Sequence, residues 1–197
     1  MEEPRYKLKT APAFKPVTLE QLKRNLRMGT QDEPDDSQDA LLQGILDTII
    51  DEVQIDIGRQ LARATYTAYL DDFPASGNME LTRGPVGEIS SVKYYNQSNV
   101  LTTMAAADCL LDNVELTSRV RFLNTYNVYS DRLNGVEIEF TCGWATAVEI
   151  PKDLVDAVVL LASERFLNPE NPGLNFGVSL RVTRAERLLA KYKVSRY

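Results

Sequence analysis

The hydrophobic period changes twice along this chain, from about 3.6 residues to 2 and back again, and a change of period is a change of backbone. Leu42, Ile45, Leu46, Ile49, Ile50, Val53, Ile57 and Leu61 recur every three or four residues, the pattern of one long amphipathic helix. From Ala64 the runs ATYTAYLDDF, NMELT, ISSVKYY, NVLT, DCLLD, RVRFLN and VEIEFTCGW are short, rich in β-branched and aromatic residues, and divided by turn residues. They predict about six or seven antiparallel strands. The helical period returns at PKDLVDAVVLLASERF, with Pro151 suited to the first helical position and Asp153 to the first turn.

The fold class that follows is α+β: a small α-helical bundle with an inserted antiparallel β module, an extended N-terminal arm and a C-terminal tail. The expected divisions are an arm over 1–16, the first part of the bundle over 17–63, the β insertion over 64–149, the second part of the bundle with a loop over 150–180, and a basic helix or tail over 181–197. Pro4, Pro12 and Pro16 interrupt the arm, which is expected to stay extended and to order against a partner through Tyr6, Leu8 and Phe14. Thr18 with Gln21 makes a capping-box start for a first short helix, and Gly29 a stop. The second helix should open near residues 35–39, where carboxylates favour the N-terminal end of the dipole. Asn134-Gly135 predicts a tight hairpin.

Charge is distributed unevenly. Residues 1–30 carry seven Lys/Arg against three acids, residues 31–58 nine acids and no base, and residues 176–197 six Lys/Arg against Glu186 alone. Basic ends on an acidic body suggest that the ends meet something the body does not. The carboxylate pairs Asp47/Asp51 and Glu52/Asp56 lie four apart on one helix. They read as a solvated acidic face, because like charges at that spacing repel and no glycine-bearing calcium loop accompanies them.

The sequence holds no catalytic constellation. With no histidine, the commonest general base, the Ser-His and Cys-His nucleophile pairs and every histidine metal site are absent. There is no phosphate-binding GxxxxGK[ST] and no GxGxxG. Asp108, Asp112, Asp131, Glu137 and Glu139 fall where the wet face of a sheet is expected. Cys109 and Cys142 lack CxxC spacing and read as two separate core thiols. No apolar run approaches the roughly 18 residues that span a bilayer, and charges and prolines stand where a signal peptide has its apolar core. A soluble protein made in a cytoplasm is expected, with no metal and no cofactor. Nucleic-acid binding through Arg181, Arg184, Arg187, Lys191, Lys193 and Arg196, with Tyr192 and Tyr197 to stack, is the alternative function. A carboxylate enzyme in the β module is a weaker third.

Taken in order, VTLEQLKRNLR, DDSQDALLQGILDTIIDEVQIDIGRQL, the YLDDFP strand entry, LTRGPVGEISSVKYYNQSN, VEIEFTCGW and IPKDLVDAVVLLASERFLNPE resemble the head–tail connector, or adaptor, proteins of tailed bacteriophages, in the subgroup with a β insertion inside a small helical bundle. The resemblance runs from about Val17 to Tyr192. It departs from the family in the arm before Val17 and in the C-terminal LLAKYKVSRY. It implies a non-enzymatic virion neck protein, made in the host bacterial cytoplasm. Such a protein would form a typically dodecameric homo-oligomeric ring below the portal protein, extend the channel for double-stranded DNA without reading its sequence, and offer a docking surface to tail or tail-completion (stopper) proteins. No membrane is involved. Portal binding would fall to Arg184, Arg187, Leu188, Lys191, Tyr192, Lys193, Arg196 and Tyr197. Asp47, Asp51, Glu52 and Asp56 would face the lumen or a neighbouring subunit, and Tyr6, Leu8 and Phe14 would form a partner-binding arm.

Overall fold

The computed structural model describes residues 4–29, 36–115, 117–124, 126–169 and 180–194, and it sorts the two hydrophobic periods into two units. One unit comprises Met1–Ala13 with Ala62–Ala145, the other Phe14–Leu61 with Thr146–Tyr197. The fold is α+β.

In the first unit the described residues form eight strands: β1 (Arg5–Thr10), β2 (Ala64–Leu70), β3 (Asn78–Leu81), β4 (Val86–Tyr95), β5 (Leu101–Thr103), β6 (Cys109–Asp112), β7 (Ser118–Phe122) and β8 (Val136–Cys142). They make an antiparallel five-stranded sheet in the order β1-β2-β8-β4-β5 and a three-stranded sheet in the order β3-β7-β6. Strict alternation along β2 and β8 turns Ala64, Tyr66, Ala68 and Leu70, with Val136, Ile138, Phe140 and Cys142, to one face. These pack with Met79, Leu81, Val120 and Phe122 of the smaller sheet in a single core. Phe73, Tyr94, Phe122 and Tyr126 extend that core as a group of edge-on and tilted rings.

Two expectations need correcting here. The segment read as a free arm supplies β1, which pairs antiparallel with β2 from Arg5↔Tyr69 onward. Pro4 and Pro12 flank the strand rather than interrupt it, and an edge position leaves half its backbone groups free to meet water. Asn134-Gly135 makes no hairpin, because β7 and β8 belong to different sheets. Glycine is needed at 135 for closeness instead: a Cβ there would lie 2.4 Å from Val128 Cγ1 and 2.5 Å from the Asp71 carbonyl oxygen.

The second unit holds four helices among its described residues: α1 (Leu19–Leu26), α2 (Asp39–Ile57), α3 (Lys152–Leu167) and α4 (Leu180–Ala190). Thr18 and Gln21 form the full capping box. The helix ends earlier than expected, with Arg27 in the left-handed capping position at φ 58°; Gly29, two residues on, is also left-handed at φ 65°. α2 stops at Gly58, φ 69°, so Leu61 is buried beyond the helix instead of continuing it. α2 buries Leu42, Leu46, Ile49, Ile50, Val53 and Ile57. α3 buries Leu154, Ala157, Val158, Val159 and Ala162, and packs against α1, α2 and α4. Ser163 Oγ hydrogen-bonds Asn25 Oδ1 at 2.9 Å, tying α3 to α1. Of the helix or tail expected at the basic C-terminal stretch, the structure has the helix: α4 buries Ala185 and Leu189.

Two predictions follow from packing. Gly44 stands mid-helix in α2, and a Cβ there would meet nothing within 4 Å. Gly44→Ala is expected to stabilise the isolated protein by about 1 kcal/mol, a rise of roughly 2–4 °C in a thermal melt. Burial pushes the Cys142 thiol up to about 12, leaving on the order of one part in ten thousand as thiolate at pH 8, and thiolate is the reactive form. Burial also raises half-buried Cys109. Thiol titration of the native protein at pH 8 is expected to find no fast-reacting group, and both cysteines should react in guanidinium chloride.

Candidate functional site

The acidic face of α2 is largely neutralised by its own unit. Asp47 accepts from Lys15 Nζ at 2.6 and 2.8 Å and from Gln43 Nε2 at 2.9 Å. Glu52 pairs with Arg165 of α3 at 2.8 Å, and Asp56 with Lys193 near the chain end at 2.8 Å. Asp51 accepts from Gln54 Nε2 at 3.3 Å. All four carboxylates are exposed, so each ion pair contributes no more than about 1 kcal/mol. Their effect is on geometry: three distant parts of the unit, the approach to α1, α3 and the chain end, are each drawn to one helix. Among the described residues no group of three or more His, Cys, Asp or Glu is placed to hold a metal ion.

The chain end is strapped to the C-terminus of α2. Arg59, only 4% exposed, donates from Nε to the Tyr192 carbonyl oxygen at 2.6 Å. The Val194 amide donates to the Ile57 carbonyl at 3.0 Å. Val194 packs over Gly58, where a Cβ would lie in ordinary contact, 3.4 Å from Val194 Cγ2; glycine is favoured there by the left-handed φ of 69°. Lys191 Nζ bonds Asp153 at 2.7 Å, which raises the lysine above its ordinary value. Burial lowers Arg59, but a guanidinium keeps its charge throughout the physiological range.

Of the eight residues expected to bind a portal, Lys191, Tyr192 and Lys193 therefore belong to this strap. Leu188 is half-buried, and Arg184 and Arg187 are exposed on α4. Arg196 and Tyr197 lie outside the described residues. Arg181 lies 3.6 Å from Glu164, so three of the cations invoked for nucleic-acid binding already face carboxylates of this chain. Arg59 escaped the sequence reading altogether. A charged residue among apolar ones just past a helix stop is a signal, but nothing local names a partner 133 positions away.

The three arm residues do not make one surface. Tyr6 is half-buried and packs against the core of the β unit, its ring meeting Phe140 edge-on at 6.0 Å. Its hydroxyl accepts from the Thr82 amide at 3.1 Å, and burial raises its pKa. Leu8 is exposed on β1, whereas Phe14 is half-buried and belongs to the helical unit. On the outer face of the larger sheet, Lys7, Lys9, Lys93, Glu137 and Glu139 line an open depression of about 270 Å³, with Lys9 and Glu139 paired at 2.6 Å. In the smaller-sheet region Asp108 accepts from the Tyr126 hydroxyl and from Asn124 Nδ2.

Arg59→Ala is expected to release the strap. The orphaned Tyr192 carbonyl should cost about 1–3 kcal/mol in denaturant unfolding, and the Val194 amide should lose its protection in hydrogen exchange.

No protein-family model matches the chain, and no curated protein does. Solved structures do. A chain in the neck of an empty gene transfer agent (GTA) particle, computed with C6 symmetry, superposes with a TM-score of 0.79 at 22% identity, over 98% of this chain and 97% of the other. A chain in the virion of a native GTA particle gives 0.75 at 21%, over 98% and 96%. One in the neck of a native GTA particle, computed with C12 symmetry, gives 0.64 at 19%, over 96% and 97%. At these identities the shared property is the fold, end to end, and it agrees with the head–tail connector resemblance.

Proposed function

We propose that this chain is a non-enzymatic structural protein of a phage-like virion neck. Copies form a ring below the portal protein, extend the channel through which double-stranded DNA passes without sequence recognition, and offer a docking surface to tail or tail-completion proteins. The observation that carries this is the fold shared along nearly the whole chain with chains of particle necks and virions. Two of those structures were computed with cyclic symmetry, C12 and C6, and a closed ring of identical contacts has that symmetry. The acidic α2 would serve the lumen or the contact between copies.

Portal docking is assigned to the chain end, from Lys191 through Tyr192 and Lys193 to Arg196 and Tyr197. The strap fixes where this end leaves the bundle. Its exposed ion pairs are individually weak, so Lys191 and Lys193 can exchange Asp153 and Asp56 for carboxylates of a partner at small cost.

Cryo-electron microscopy of the protein mixed with its cognate portal tests the assignment. The expected result is a ring stacked on the portal with residues 191–197 ordered at the contact; a bare portal beside free monomer would overturn it. Removing residues 195–197 should leave the melting temperature within about 2 °C, because the described core ends before them, and should abolish stacking. Stacking that persists would move the docking role elsewhere.

A further inference from the structure

α2 carries a stripe on the side away from its buried face that nothing in the described chain covers. Leu41, Gly44, Thr48, Asp51 and Ile55 follow one another at spacings of three, four, three and four, the rhythm of a helix–helix seam. Leu41 is 56% and Ile55 77% exposed. In the middle stands Gly44, the poorest helix former after proline, with empty space where a side chain would go. No packing among the described residues accounts for glycine there. What glycine permits is the close approach of another backbone.

The complementary face is on α4. Arg184 and Arg187 are exposed and make no ion pair among the described residues. Of the five acids of α2, four are already paired with cations of this chain, and Asp51 is the one that makes no ion pair among the described residues. α3 packs against both helices, so one unit presents unpaired charge of opposite sign, Asp51 on α2 and Arg184 and Arg187 on α4. A two-fold contact through the stripe would set Asp51 against Asp51. A head-to-tail contact sets Asp51 against the two arginines, and repeated head-to-tail contacts generate rings.

We infer that the α2 stripe of one copy receives α4 of the next. Gly44 is the point of closest approach. Arg187 lies beside Gly44 with its aliphatic stem over the exposed Leu41, and Arg184, one turn along, reaches its guanidinium toward Asp51. The contact rests on the ring proposed above and names its interface.

Necks assembled on the portal from the full chain carrying Gly44→Cys and Arg187→Cys together provide the test, oxidised and run on a non-reducing gel beside wild type. A ladder of multimers is expected, with each single variant remaining monomeric. Dimers from Gly44→Cys alone would show a two-fold contact and overturn the inference. Rings visible by microscopy without a ladder would overturn this interface and leave the ring standing. If wild type forms no ring, the proposed function fails and the interface with it. Gly44→Trp is a second measure that does not depend on cysteine chemistry. Since the position is open, the variant should melt like wild type, while ring yield falls at least about tenfold from a blocked seam. An unchanged ring yield would overturn the inference.

Discussion

The pairing of β2 with β8 is what allows the rest of this chain to exist in its present order. The helical unit is made from two stretches separated by residues 62–145. Closing an excursion of roughly 80 residues costs on the order of 4 kcal/mol in chain entropy, and that cost falls on the bundle unless something else meets it. The ladder meets it. Seven registered pairs run from Leu70↔Val136 down to Ala64↔Cys142, followed by the Ala62↔Trp144 bridge and the Arg63 amide bonded to the Trp144 carbonyl at 2.9 Å. The chain thus returns beside its point of departure. β8 is also the strand between β2 and β4, so the same residues that close the excursion carry Ile138 and Phe140 into the core.

Within the helical unit, apolar burial and charge divide the labour. α3 supplies the surface on which the other three helices pack, and hydrophobic contact is the term large enough to hold them. The ion pairs from α2 to Lys15, Arg165 and Lys193 are exposed and individually weak. They bring cations from separate parts of the chain to an acidic helix and leave only part of its surface for anything else. The buried Arg59 belongs to a different class. Its hydrogen bond to Tyr192 lies where water competes poorly, so it fixes the direction of the chain end as surface pairs cannot.

On the neck role proposed above, Asp51 on α2 and Arg184 and Arg187 on α4 would give each copy a different surface for each neighbour. The strap that holds Tyr192 and Val194 to the end of α2 would give all copies the same point from which to reach a partner.

Much of the fold was legible in local sequence because local physics decides it. The Thr18/Gln21 capping box, the buried face of α2 and the strands from Ala64 to Cys142 all depend on neighbours within four residues, and periodicity reports those. Elements whose reason lies far away were missed. β1 exists because β2 accepts it and Tyr6 finds Phe140 and Thr82. Gly135 is required by Val128 and Asp71 rather than by a turn. Residues 181–197 read as a basic helix or tail, and only the packing on α3 that buries Ala185 and Leu189 selects the helix over 180–190. By itself the sequence determined the helices of the bundle, the strands from Ala64 to Cys142 and which ends are basic, since backbone period and charge are properties of adjacent residues. The tertiary structure alone decided which cations remain available and where the chain end points, because ion pairs and a buried arginine select partners across more than a hundred residues, and no local pattern encodes that choice.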